Sequence, residues 1–421
     1  MWFGALLLVA VAQGAPGEPR DVLLTSSEAF LLLPPQAIAS NVVTRASWAP
    51  TGQAIAAVRE ITDIRLIGGR LAPERKGQGV YVWNRSSGRS VLVHQTSGEV
   101  DQLAWIAGSD LLYFVTREEV ADARGNSSAR LTLYRSTATG ASAVAVRQQA
   151  GVDHPWILHA SPFDSIALLL QTRISATRVH LPGELPAGGV ATSVTLLRGN
   201  GTVSNPVDLP GGPLQVAFAP QSRIYFGSGR EWHQLDPSTG AHSKLSEKPP
   251  LEVPERKSRF RPVTEQVSGI PHLYLQADNR MFLSARPTRF EMSPQDDAVM
   301  IIVDGVVLVR TMLRVPREEY EAARIAAERA RLLSNVKQIG TAFHIYAADH
   351  DDVLPGPNPR ITEMLMPYLK NESILQGFVY MFPGGNISNT RDPSKTVLGF
   401  IPGPGGRAEV YLDGHARWIS D

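Results

Sequence analysis

One short unit recurs along residues 22–313 and constrains the fold more than anything else in the chain. An apolar strand ends at an aromatic or alanine, a turn with Pro or Gly follows, and a second apolar strand begins. Ser47-Trp48-Ala49-Pro50-Thr51-Gly52-Gln53-Ala54-Ile55-Ala56 is the clearest copy. Trp105-Ile106-Ala107-Gly108 with Leu111-Leu112, Ser161-Pro162 with Ile166-Ala167, Ala219-Pro220 with Ile224-Tyr225, and Ser293-Pro294 with Val299-Met300 repeat it. A second half follows several copies as a hairpin around a Gly turn, as in Val80-Tyr81-Val82-Trp83 before Ser87-Gly88 and Leu131-Thr132-Leu133-Tyr134 before Thr139-Gly140. Short, continuous apolar runs of this kind suit strands buried on both faces.

Two hairpins per repeat make a four-stranded sheet, and such sheets repeated radially make a β-propeller. His272-Leu273-Tyr274-Leu275 with Met281-Phe282-Leu283 adds a further copy, and Ala29-Phe30-Leu31-Leu32-Leu33 is placed to supply a closing strand. The copies resemble the blades of TolB-type propellers, whose turn reads Ser-Pro-Asp-Gly; Pro50-Thr51-Gly52 comes nearest to that form. The expected fold is mainly β with a C-terminal α+β domain. It is a β-propeller of five to seven blades, followed by a long helix packed on a small antiparallel sheet.

Pro316 ends the β pattern and opens the helix, with Glu318, Glu319 and Glu321 in the first turns, where carboxylates suit the positive end of the helix dipole. Leu332, Val336, Ile339, Phe343 and Tyr346 are spaced as one apolar stripe that must lie on a sheet. Residues 317–331 alternate Glu, Ala and Arg, which predicts a solvated rod or a segment resting on the propeller rim.

Residues 325–421 resemble the soluble head of bacterial pseudopilin-like proteins of the type II secretion major pseudopilin G kind. The motifs are Asn335-Val336-Lys337-Gln338-Ile339-Gly340, then Tyr346, an acidic turn ending at Leu354-Pro355, Pro367-Tyr368-Leu369-Lys370-Asn371, and Asp413-Gly414-His415. The resemblance implies a helix-on-sheet domain. A prepilin has an apolar membrane helix where this chain has the charged stretch Arg317–Arg331, so filament packing is not expected.

Residues 1–15 read as a signal peptide: Trp2 to Ala12 is almost wholly apolar and Ala12-Gln13-Gly14 supplies small residues for cleavage. The expected division is then 16–314 for the propeller and 315–421 for the C-terminal domain, with export to the periplasm or beyond. An uncleaved segment would act as an N-terminal anchor. No later run reaches spanning length. The net charge of +1 gives no field for nucleic acid, and the absence of Cys excludes disulfides and thiolate chemistry.

Asp349, Asp351 and Asp352 gather carboxylates at a helix end and are calcium candidates, although they lack the Gly turn and distal Glu of an EF-hand. Asp413-Gly414-His415 reads as a tight turn before it reads as a metal or acid–base pair. His154, His159, His233 and His242 show no metal-site spacing, and no Gly-x-Ser-x-Gly elbow occurs. No catalytic set is named. The leading expectation is an exported, non-enzymatic binding or scaffold protein with a protein or glycan partner in the cell envelope. The alternatives are a glycan-active hydrolase or lyase with its site at the propeller mouth, and an accessory component of a type II secretion or type IV pilus apparatus.

Overall fold

A computed structural model describes residues 21–421 apart from 68–69, 122–124, 126, 153, 175–189, 210–214, 229–230, 250–257 and 370. The signal-peptide expectation therefore lies outside the described residues, as does most of the Pro-rich stretch after Lys248. The chain divides into two compact units, Leu32–Leu313 and Met1–Leu31 with Arg314–Asp421.

Near the N-terminus lie β1 (Val22–Leu24), β2 (Glu28–Leu32) and β3 (Gln36–Ala39). Four sheets of four antiparallel strands follow. They are β4 (Val42–Trp48), β5 (Ala54–Ile67), β6 (Arg70–Asn84), β7 (Arg89–Thr96); β8 (Glu99–Trp105), β9 (Leu111–Ala121), β10 (Ser127–Thr137), β11 (Val144–Ala150); β12 (Ile157–Ala160), β13 (Ile166–Ile174), β14 (Val190–Arg198), β15 (Val207–Leu209); and β16 (Gln215–Ala219), β17 (Arg223–Ser228), β18 (Glu231–Leu235), β19 (His242–Lys244). A fifth has three strands, β20 (Arg261–Val267), β21 (Ile270–Gln276) and β22 (Arg280–Ala285). In the sixth, β23 (Arg289–Met292), β24 (Ala298–Val303) and β25 (Val306–Pro316) run side by side, and the far edge of β25 takes β2 and β3 from the start of the chain. Most of the run Ala29–Leu33 lies on β2.

The repeat is visible in how these sheets share cores. Val58, Val80 and Val93 of the first sheet pack with Leu112 and Phe114 of the second. Tyr113, Val115 and Leu133 pack with Leu158, Leu169 and Leu197 of the third. Leu168, Leu170 and Val194 pack with Ile224 and Phe226 of the fourth. Ile55 and Trp83 of the first sheet pack with Met300 and Ile302 of the sixth. Apolar side chains on both faces of each strand are what such stacking requires.

In the smaller unit β1 and β2 form a hairpin, Glu28 pairs with Arg314, and the Arg317 backbone N–H donates to Ser27 O. Helix α1 (Arg317–Ala348) begins directly after Pro316. It is followed by β26 (Val353–Leu354), α2 (Ile361–Leu365), β27 (Val379–Tyr380), β28 (Gly385–Asn386), β29 (Val397–Gly403), β30 (Gly406–Tyr411) and β31 (Ala416–Ser420). The stripe from Leu332 to Tyr346 is buried against Leu398, Ile401, Ala408, Val410 and Leu412. Gly340 lets the helix approach: a Cβ there would stand 2.6 Å from Val410 Cγ2. In the charged half, Glu321–Arg324 and Glu328–Arg331 pair along the helix. Arg329 donates to Pro404 O at 3.0 Å and lies 5.0 Å over the Trp418 ring, so this half is not wholly a solvated rod. The stretch Met366–Tyr368 makes one 3-10 turn and Leu369 is extended.

Candidate functional site

The motif residues of the C-terminal unit are spread over several of its elements and differ in burial. Asn335 is half-buried, Lys337 and Gln338 are exposed, and Pro367 is exposed. Tyr346 stacks on His350 at 3.9 Å, Pro355 O accepts from the Tyr380 hydroxyl, and Tyr368 OH donates to Asp349 Oδ2 at 3.0 Å. Asp352 Oδ2 accepts from Ser388 Oγ, and the Asp351 carbonyl accepts from Asn386. Asp349 and Asp352 are thus engaged with different partners. Among the described residues no group of three or more His, Asp or Glu can hold a metal ion.

Asp413, Gly414 and His415 form a turn with Gly414 at φ +86. The His415 ring meets Asp413 Oδ1 at 2.5 Å and stacks on Tyr411. Burial pushes the Asp413 carboxyl up, but the His415 bonds outweigh it and hold it below the usual range. A cleft of about 420 Å³ lies in the same unit, walled by Pro357, Pro359, Ile361, Phe378 and Tyr380.

The larger unit carries a charged site that the sequence reading missed. Three hairpins outrun their sheets at one end. Strand β4 pairs β5 only to Arg59, β8 pairs β9 only to Arg117, and β12 pairs β13 only to Leu170, yet β5, β9 and β13 continue beyond. In the fourth sheet β16 and β17 end nearly level. The long hairpins therefore rise where the first strands of the first three sheets begin. Gly77 seats the β5–β6 hairpin against β7: its φ is +128, and a Cβ would stand 2.0 Å from Thr96 O.

Beside that hairpin lies a cleft of about 370 Å³, lined by Arg65, Glu74, Arg75, Lys76, Ser97 and Glu99. Arg75 lies 3.3 Å from both Glu60 and Glu99. Arg65 pairs with Glu74 at 2.7 Å and Lys76 with Asp63 at 3.3 Å. Glu118 on β9 accepts from Arg130 at 2.6 Å and from Thr96 Oγ1 at 2.9 Å, and the Arg130 bond leads in holding its carboxyl below the usual range.

Two irregularities in strand pairing shape the inner end of the site. The register of β4 shifts between Val42 and Ala46, around Arg45, and that of β8 shifts between Val100 and Gln102, leaving Asp101 unpaired in the ladder. Bulges re-aim side chains in this way. Arg45 donates to Val100 O, and buried Gln78 accepts from the Val100 backbone N–H at 2.7 Å, which fixes the bulge. Asp101 is half-buried, and its Oδ2 is enclosed without a hydrogen-bond partner. Burial pushes its carboxyl above the ordinary range against the pull of Arg117 and Arg45. His159, on the strand packed beside β8, is held below its usual value by burial.

A signal for the bulge exists in the sequence. Val100, Leu103 and Trp105 all face one core, so the spacing is three and then two, where an unbroken strand keeps two throughout. Elsewhere the structure brings His233 and His242 together at 5.6 Å beside Phe226, as an aromatic cluster. A carboxyl held towards its protonated form, near a second carboxylate, is the arrangement that general acid–base chemistry uses.

No protein-family model matches the chain, and no curated protein matches it in sequence. Solved structures do match. An alpha-L-arabinanase of Penicillium chrysogenum, complexed with arabinobiose, is 12% identical over 67% of this chain and 98% of its own, with a TM-score of 0.29. An acylaminoacyl peptidase of Pyrococcus horikoshii is 11% identical over 67% of this chain and 46% of its own, with a TM-score of 0.29. A gluconolactonase of Xanthomonas campestris is 10% identical over 68% of this chain and 90% of its own, with a TM-score of 0.24. At these values no residue here is equated with one of theirs. The pseudopilin resemblance rests on the C-terminal sequence motifs alone. Among the described residues no helix is long and apolar enough to cross a membrane.

Proposed function

We propose that the six sheets close into a β-propeller whose mouth, beneath the three long hairpins, is the site of a glycan-active hydrolase or lyase. The observation that carries this reading is Asp101: half-buried, displaced by a bulge, and held towards its neutral form two residues from Glu99. In hydrolysis Asp101 gives its proton to the bridging oxygen as the bond from that oxygen to the anomeric carbon breaks. Glu99 takes a proton from the water whose oxygen joins that carbon, so the sum is addition of water. Arg45, tied to Val100 O, positions the bulge.

A second reading is an exported platform that binds without turnover. It is favoured by the mutual ion pairs of Arg65 with Glu74, Lys76 with Asp63 and Arg130 with Glu118, which give the rim a fixed shape. In both readings the C-terminal unit serves as an interaction module in the cell envelope. Incubating the purified protein with a range of polysaccharides separates them. New reducing ends or unsaturated products support the enzyme, and binding without product supports the platform.

A further inference from the structure

The charged groups around the mouth are mostly engaged with one another. Arg65, Lys76 and Arg130 each meet a carboxylate, and Arg75 is shared by Glu60 and Glu99. One Nη of Arg45 is tied to Val100 O. Arg117 differs. It is exposed, it stands across the strand pair from Glu99, and its side chain makes no hydrogen bond or ion pair with a described residue. Its charge nevertheless acts on Asp101, as does that of Arg45. Of the next two carboxylates on β9, Glu118 meets Arg130, and Glu119, two residues out along the hairpin, is exposed.

A planar guanidinium left unengaged beside a half-buried carboxyl is suited to a ligand carboxylate, which it can grip through two parallel N–H bonds. We propose that Arg117, backed by Arg45, binds the carboxylate of a uronic-acid residue and that the mouth is therefore selective for acidic glycans. This rests on the mouth reading above and names its substrate class.

The test is affinity electrophoresis and calorimetry of the full chain with alginate, polygalacturonate and hyaluronan, each beside its carboxyl-reduced counterpart. At least one acidic polymer is expected to bind ~tenfold or more tightly than its reduced form, with a preference that weakens in salt. Arg117→Ala should abolish the preference and Arg117→Lys should restore part of it. Equal binding of acid and reduced forms, or a preference that survives Arg117→Ala, overturns the proposal. If neutral glycans are then still bound and cleaved, the mouth reading stands and only the selectivity falls. If no polymer binds at all, both fall.

Discussion

Trp48 donates its indole N–H to the main-chain carbonyl of Glu291 at 3.2 Å, across 243 positions of sequence. Trp105 makes the same bond to Ser47 O, also at 3.2 Å. In each case the tryptophan at the end of one sheet's first strand reaches a carbonyl on or beside the first strand of another. The sixth sheet stands to the first as the first stands to the second. The bond that joins the first two sheets thus recurs where the sixth meets the first.

Replacing Trp48 with Phe keeps most of the ring volume and removes the donor, leaving Glu291 O without it. Trp48 is 4% exposed, so water cannot readily substitute. A loss of about 1–3 kcal/mol is expected in urea unfolding. An unchanged midpoint would show that the bond contributes nothing to the join.

The same join carries an ion pair, Arg85 with Asp297 at 2.9 Å. Burial pushes the Asp297 carboxyl up, but Arg85 and Ser293 outweigh it and hold it below its ordinary 3.8. A carboxyl depressed in the folded state adds stability above its unfolded value and loses it as pH falls through the folded one. Arg85→Ala should therefore flatten the fall in stability on the acid side of pH 3.8 and lower stability at neutral pH. Parallel acid-unfolding curves for the two proteins would contradict this.

Gly340→Ala sets helix propensity against space. Ala favours a helix over Gly by roughly 1 kcal/mol. The new methyl would stand 2.6 Å from a methyl of Val410, which is fully buried. Net destabilisation of about 1–3 kcal/mol is expected, with partial recovery in the double variant carrying Val410→Ala. A stabilised single variant would mean that the helix and β30 are less closely packed than described.

Asp101→Asn should stabilise the protein at neutral pH. Because folding raises this carboxyl, the folded state is penalised as pH rises above the unfolded value, and an amide escapes that penalty. The gain should vanish in acid, where the aspartate is protonated in both states. Thermal scans at several pH values read this directly. A site kept at some cost to stability is expected where a group serves chemistry.

Much of the fold is legible in the residues. Trp48, Trp105 and the Pro or Gly turns mark the repeat, Pro316 marks the helix start, and the stripe from Leu332 to Tyr346 is the face that α1 buries. The charged site around Asp101 was not legible. Nothing in the sequence singles out Asp101 or Arg117, because a bulge is a property of two paired strands and the sequence of one shows it only as a broken alternation. The hairpin tips were hidden for a similar reason. Arg65, Glu74 and Lys76 sit where strands have no sheet beneath them, so their pairing depends on each other and not on an apolar pattern. The aspartates at the end of α1 are a separate case. Proximity in sequence gathered Asp349, Asp351 and Asp352, but positive φ at the last two turns the chain and separates their partners.

The central claim is that Asp101 supplies a proton at the mouth. Its most direct test is kcat/KM of Asp101→Asn against the wild type, on whichever polysaccharide the wild type degrades. A loss of about a hundredfold or more is expected, with substrate still bound and the fold intact. A variant that turns over at the wild-type rate would contradict the claim.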